Sequence, residues 1–154
     1  MALLTVDQAQ RQLLAAADAW RSARAFQPAR LALAEADGRV LAEAVHAGMP
    51  VPPEANSAMD GYAICHADLG DEASPLLPVS LRIPAGTAPG PLPPGTAARI
   101  FTGAVMPPGA DTVVMQENCE TLAGAVRVLA RPRPGETVRA AGQDVASGDC
   151  LGPA

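Results

Sequence analysis

Asn56, Ser57 and Asp60 put three short polar side chains within five residues, directly before Gly61. A carboxylate on such a turn can face a ligand or a divalent cation, and Gly61 tolerates the positive φ that an Asp-Gly turn demands. The same residues also build ordinary hairpins, in which Asn and Ser cap the turn. A second stretch, Arg99 to Glu117, reads as strand, glycine-containing turn and strand. Thr102-Gly103 falls at the C-terminal end of the first strand, where backbone amides and a hydroxyl can meet an anion. Phe101-Thr102-Gly103 lacks the carboxylate of the Asp-Thr-Gly protease motif, and a plain hairpin is the competing reading. In a third stretch, Arg139 and Asp144 flank Gly142. They can bind phosphate and a cation respectively, or pair with each other.

His46 and His66 have no partner at ligand spacing. Cys65, Cys119 and Cys150 are odd in number, far apart and without a C-x-x-C, so neither a zinc site nor a disulfide framework is indicated. A reducing cytoplasm is the compartment expected of such usage.

The elements that must hold these residues follow from periodicity. Thr5-Val6-Asp7-Gln8 reads as a capping box, and Val6, Ala9, Leu13, Ala17 and Trp20 recur at helical spacing. This predicts a helix from Thr5 to about Arg24, ended before Pro28. Arg30–Leu33 alternates like a short strand. Glu35–Ala44 is predicted as a second helix, with Gly38 costing about 1 kcal/mol relative to Ala.

Twelve of the sixteen prolines lie between Pro50 and Pro108, which excludes a helical bundle there. Strands are predicted at Tyr62–Cys65, Pro78–Ile83, Ala97–Phe101, Thr112–Gln116 and Ala125–Leu129, separated by Gly-containing turns. The Pro84–Gly95 stretch is expected to be an exposed loop. The predicted fold class is α+β: an irregular β-rich domain, residues 48–138, inserted into a partly helical, elongated domain formed by residues 1–47 plus 139–154.

At 154 residues the chain holds one domain or two small ones, by a rule of roughly 100–200 residues per domain. Apolar residues make up 49% but aromatics only 3%, so the core must be aliphatic. Sixteen acids against eleven bases, all Arg, give a net charge of −5. Such a chain lacks the basic stripe and stacking platform of nucleic-acid binders. No run approaches the roughly 18–20 apolar residues of a membrane span, and the N-terminus lacks the pattern of a secretory signal.

Taken together and in order, the motifs resemble one family. Asn-Ser-Ala-Met-Asp-Gly-Tyr-Ala at 56–63, Arg-Ile-Phe-Thr-Gly-Ala-Val-Met-Pro-Pro-Gly-Ala-Asp-Thr-Val-Val-Met-Gln-Glu at 99–117, and Val-Arg-x-x-Gly-x-Asp at 138–144 are similar to the molybdopterin molybdenumtransferases, the MoeA and gephyrin E-domain family. Ala36–Val45 is similar to that family's Gly-Arg-Val-Leu-Ala segment. The resemblance implies insertion of molybdate into adenylylated molybdopterin with release of AMP, assisted by Mg2+. By position it makes Asp60 and Thr102 catalytic and Ser57 and Arg139 substrate- or phosphate-binding, with Asp60 and Asp144 as metal ligands. Gln143 stands where the family usually has Glu, and Ala140 and Ala141 stand where Arg is frequent, which reduces the local positive charge.

The resemblance further implies an N-terminal piece of a longer protein, since family members continue into an α/β domain that holds the pterin. It implies a homodimer whose active site is shared between subunits, so that this piece alone is expected to be inactive. Because gephyrin uses the fold to bind partner peptides, a non-catalytic dimerisation or scaffold module is the alternative.

Overall fold

Thr5 and Gln8 cap the first helix reciprocally. The Thr5 amide donates to Gln8 Oε1 at 3.0 Å, and the Gln8 amide donates to Thr5 Oγ1 at 3.3 Å. This satisfies two amides that a helix start would otherwise leave unpaired. The helix, α1, spans Val6–Ala23. The computed structural model describes residues 4–23 and 27–152, so the predicted helix end near Arg24 and the last two residues of the chain lie outside it.

The chain divides into two compact units, Met1–Glu43 and Ala44–Pro153. In the first, α1 buries none of its residues; Val6 is 81% and Leu13 72% exposed. The predicted strand at Arg30–Leu33 does not form, and a 3-10 turn runs over Leu33–Glu35 instead. The predicted helix at Glu35–Ala44 does not form either. Gly38 takes φ 73°, and the Arg39 amide closes a turn onto the Ala36 carbonyl at 3.1 Å. Asp37-Gly38 is a turn signal, and left-handed backbone interrupts a helical path there.

The second unit is β-rich. Its strands are β1 (Val45–His46), β2 (Asn56–Ser57), β3 (Gly61–Ile64), β4 (Leu76–Ile83), β5 (Ala97–Ile100), β6 (Thr112–Met115), β7 (Cys119–Leu122), β8 (Ala125–Val128), β9 (Val138–Arg139) and β10 (Cys150–Gly152). All five predicted strands are present within one or two residues of their expected ends. Six strands form one sheet in the order β6-β3-β5-β4-β8-β7, and β1–β10 and β2–β9 are separate antiparallel pairs. The sheet curls: the Tyr62 hydroxyl on β3 meets that of Thr121 on β7 at 3.0 Å, although four pairings separate those strands. Its two edges, β6 and β7, are joined by the 3-10 turn Gln116–Asn118.

Among the described residues only β4 and β5 pair in parallel. Parallel neighbours need a crossover of about a dozen residues. The Pro-rich segment 84–96 supplies it without a helix. Most of that segment is exposed, as expected, but Leu92 is 7% exposed, and its amide donates to the Pro108 carbonyl at 2.8 Å.

The aliphatic composition is explained by a sheet buried on both faces. Tyr62, Ile64, Ala97, Val114, Val126 and Val128 pack together on one side, and Ala63, Ile83, Leu92, Ala98, Ile100 and Val113 on the other. Alternation along β3, β5 and β6 sends consecutive residues to opposite faces, so small alanines fill both.

Cys119 is half-buried at the start of β7. Burial pushes its thiol up to about 11, against the opposing pull of the Arg99 charge. A raised thiol value stabilises the fold below the unfolded value of 9.0, and that contribution is lost as pH climbs toward about 11. Alkylation of Cys119 by iodoacetamide at pH 8 is expected to run about 100-fold slower in the folded chain than in urea, from its smaller thiolate fraction. Equal rates, read by mass spectrometry of the Cys119 peptide, would refute this.

Candidate functional site

The three motifs meet at β2. On one edge its neighbour is the segment 103–106: the Gly103 amide donates to the Ser57 carbonyl at 2.8 Å, the Ser57 amide to the Ala104 carbonyl at 2.9 Å, and the Met106 amide to the Ala55 carbonyl at 2.9 Å. On the other edge lies β9, with Asn56 opposite Arg139 and Ser57 opposite Val138. The Ala58 amide adds a bond to the Thr137 carbonyl at 2.9 Å. A two-residue strand thus holds residues from three distant stretches side by side.

Ser57 is 1% exposed, and its hydroxyl donates to the Met59 carbonyl at 2.5 Å. The Met59 amide donates back to Ser57 Oγ at 3.4 Å. The hydroxyl therefore shapes the bend that delivers Asp60. Asn56, beside it, has a buried Oδ1 without a hydrogen-bond partner in the described residues, an acceptor that a bound water or ligand donor would satisfy.

Thr102 sits in the turn Phe101–Ala104, closed by the Ala104 amide onto the Phe101 carbonyl at 2.9 Å, with Gly103 at φ 79°. From there it donates twice to one carboxylate oxygen of Asp60. The Thr102 amide reaches Asp60 Oδ1 at 2.8 Å and the Thr102 hydroxyl at 2.7 Å. These bonds, chiefly the hydroxyl, hold the Asp60 carboxyl below the usual carboxylate range, helped by the Arg99 charge and opposed by desolvation. The tie is present well above pH 3.8 and is lost as pH falls through the lowered value. Asp60 Oδ2 has no partner among the described residues.

Gly61 differs from expectation. It lies in β3 and is not among the glycines with positive φ. It is required by space: a Cβ there would sit 2.0 Å from the Val114 carbonyl oxygen on β6. Asp60 therefore leads into a strand pressed against its neighbour and does not close a hairpin.

Arg139 and Asp144 are brought to each other, Nη2 to Oδ2 at 2.5 Å, in an exposed pair. Exposed pairs contribute little stability. The turn between them is capped by Gln143, whose Oε1 accepts from the Ala140 amide at 3.1 Å. It docks on the chain before β2 through Gly142 N–H to the Pro52 carbonyl and Asp144 N–H to the Val51 carbonyl, at 2.8 and 2.9 Å. The two pairs, Asp60–Thr102 and Arg139–Asp144, are linked through β2; no bond joins them directly among the described residues.

Within the described residues no group of three or more His, Cys, Asp or Glu is arranged to hold a metal. Magnesium is commonly held by one or two carboxylates, with water and substrate phosphate completing its shell. Asp60, ionised and with Oδ2 open, fits that pattern. Asp144 is also bound at one oxygen only, but its donor is the Arg139 guanidinium, whose positive charge opposes a cation there.

This chain matches the family described as MoeA N-terminal region (domain I and II) over residues 4–154. The chain belongs to that family. It is 50% identical over 108 residues to the molybdopterin molybdenumtransferase of Nostoc sp., covering 68% of this chain and 25% of that protein. It is 36% identical over 154 residues to the Haemophilus influenzae enzyme of the same name, covering 97% of this chain and 36% of that protein. The crystal structure of a molybdopterin biosynthesis moeA protein from Pyrococcus horikoshii OT3 is similar with a TM-score of 0.76 and 33% identity, over 81% of this chain and 34% of that one. The chain thus spans about a quarter to a third of the length of these relatives. Arg99 is the residue of the site that the sequence reading passed over, although it opens the second motif.

Gly61→Ala is expected to cost about 1–3 kcal/mol, as overpacking does, because the backbone of β6 must move. A urea midpoint unchanged from the parent would show that the strands can part freely.

Proposed function

We propose that this chain is the N-terminal part of a transferase that inserts molybdate into adenylylated molybdopterin and releases AMP. The observation that carries the reading is the double donation of Thr102 to Asp60 Oδ1, which favours the ionised carboxylate and leaves Oδ2 without a partner among the described residues. Family membership and the named relatives support the pathway.

In this reading Asp60 holds the cation or accepts a hydrogen bond from its water, and Thr102 fixes its orientation. A bound magnesium ion would supply Lewis acidity at phosphate oxygens. Arg139 keeps donors beyond the one given to Asp144, and these suit a phosphate oxygen. Ser57, with its hydroxyl spent internally, acts by shaping the bend.

Thr102 is exposed, and neither of two hollows of about 170 and 240 Å³ includes Asp60 or Thr102. Such an exposed pair is compatible with a homodimer in which another subunit's α/β domain covers it. The exposed Val6 and Leu13 of α1 suit such an assembly, and equally suit the alternative of a non-catalytic dimerisation or scaffold module. Segment 45–51 runs antiparallel to 145–152, with Val45 opposite Gly152 and Val51 bridging Val145. That pairing supports a β-rich domain, residues 48–138, inserted between 1–47 and 139–154.

Asp60→Asn in the full-length enzyme is expected to lower single-turnover AMP release by about 10²–10³, the usual worth of one electrostatic contact. Stability should change by less than about 1 kcal/mol, as for surface substitutions. Residues 1–154 alone should release no AMP. Near-normal turnover of Asp60→Asn, with the isolated chain forming stable dimers, would favour the scaffold module.

A further inference from the structure

Arg99 belongs to the second motif but has no part in the function proposed above. Its guanidinium reaches from β5 across the end of β3. Nη1 donates to the Gly61 carbonyl at 2.9 Å, and Nη2 donates to Gln116 Oε1 at 2.8 Å. The group lies 4.6 Å from the centre of the Phe101 ring and 5.4 Å from that of Tyr62. Arg82 also sits over Phe101, at 4.8 Å.

These bonds close a ring around the main chain of Asp60. The Gln116 amide donates to the Asp60 carbonyl at 3.1 Å. The Gln116 side chain is held by Arg99, and Arg99 holds the next carbonyl along, that of Gly61. Three residues beyond Arg99 on the same segment, Thr102 holds the Asp60 carboxylate. One short piece of chain thus grips Asp60 at both its backbone and its side chain.

The charge on Arg99 is not spent on an acid. The ion pairs among the described residues use Arg127, Arg133 and Arg139. Arg99 instead serves neutral acceptors, the Gly61 carbonyl, Gln116 Oε1 and, at 3.5 Å, the Ile100 carbonyl, from a half-buried position near two aromatic rings. A planar fork can reach the Gly61 and Gln116 acceptors at once, whereas a lysine ammonium acts as a point donor on a flexible stem. Without the fork, the Gly61-Tyr62 peptide and the Gln116 side chain lose their common tether.

We propose that Arg99 is a positioning residue, which through Gly61 and Gln116 fixes Asp60 where Thr102 can hold its Oδ1 and Oδ2 is left unpartnered. The consequence for turnover rests on the function proposed above; the positioning itself does not.

The test uses protein labelled with [15N]threonine. Asp60→Asn marks where the Thr102 amide signal falls without a carboxylate acceptor. Arg99→Lys and Gln116→Ala are each expected to move that signal toward the Asp60→Asn position and to speed its hydrogen exchange about tenfold, as in a local opening. Thr112 and Thr121, on β6 and β7, should keep their protection. Gln116 is exposed, so its truncation reports on the ring even where Arg99→Lys folds poorly. In the full-length enzyme both variants should lower kcat for AMP release about 10–100-fold, the scale of a misplaced group. KM should stay within about twofold, because substrate binding is not what the ring supplies. Wild-type signal and exchange of Thr102 in both variants would overturn the proposal. So would an equal loss of protection at Thr112, which would make Arg99 a brace of the whole sheet. Unchanged kcat in an enzyme that Asp60→Asn disables would overturn it as well. If Asp60→Asn itself leaves AMP release intact, the proposed function fails, and the threonine signals still decide the role of Arg99.

Discussion

The site depends on main-chain hydrogen bonds along both edges of Asn56–Ser57. Two residues could not stand as a strand by themselves, since short isolated strands are marginal in water. They persist because 103–106 binds one edge and β9 the other. The same bonds set the distance from the bend at Asp60 to the turn at Thr102. The buried Ser57 hydroxyl adds a local tie, so that the bend has one shape. Without this strand the turns at Thr102 and Gly142 lose the neighbour that brings them beside Asp60.

Around that strand the fold works with small residues and few regular elements. The core strands are buried on both faces, which Ala63, Ala97 and Ala98 permit, because larger side chains would not fit on both sides of so curled a sheet. Gly61 is the extreme case, where even a methyl group would strike the neighbouring backbone. The prolines are compatible with this because most lie in connections, where a missing donor is harmless. The parallel pairing of β4 with β5 through an irregular crossover leaves the ends of β3, β5 and β6 together, and the site is built there.

Electrostatically, the chain separates two kinds of arginine. Arg127, Arg133 and Arg139 pair with carboxylates on the surface, where such pairs add little. Arg99 sits among aromatic rings and neutral acceptors, so its charge still acts on Asp60. The carboxylate is kept ionised by donors that touch one oxygen only. Its second oxygen has no partner among the described residues; Asp144 is also bound at one oxygen, but by the cationic Arg139 guanidinium rather than by neutral donors.

Local rules were enough for part of this. The Thr5–Gln8 cap joins residues three apart, so the sequence carried all of its information. Five of the six longer strands were legible, β7 (Cys119–Leu122) being the exception, because alternation and flanking turn residues are properties of neighbours in the chain. The Arg139–Asp144 pair, five residues apart across a glycine turn, was legible for the same reason. Tertiary structure decided what local rules cannot reach. Glu35–Ala44 had helical spacing, but Asp37-Gly38 forms a turn and no apolar face is buried there to outweigh it. The strands β1, β2, β9 and β10 are two or three residues long, too short for a periodicity, and exist only through partners far along the chain. Gly61 looked like a turn glycine because its sequence neighbours say so; the Val114 carbonyl that excludes a side chain is contributed by another strand. Asp60 and Thr102 are 42 residues apart, Asn56 and its partner Arg139 lie farther apart still, and residue type alone does not say which residues will meet. The physical reason is the same throughout: hydrogen bonds and steric limits between strands depend on which backbones lie side by side, and that is set by packing the whole sheet.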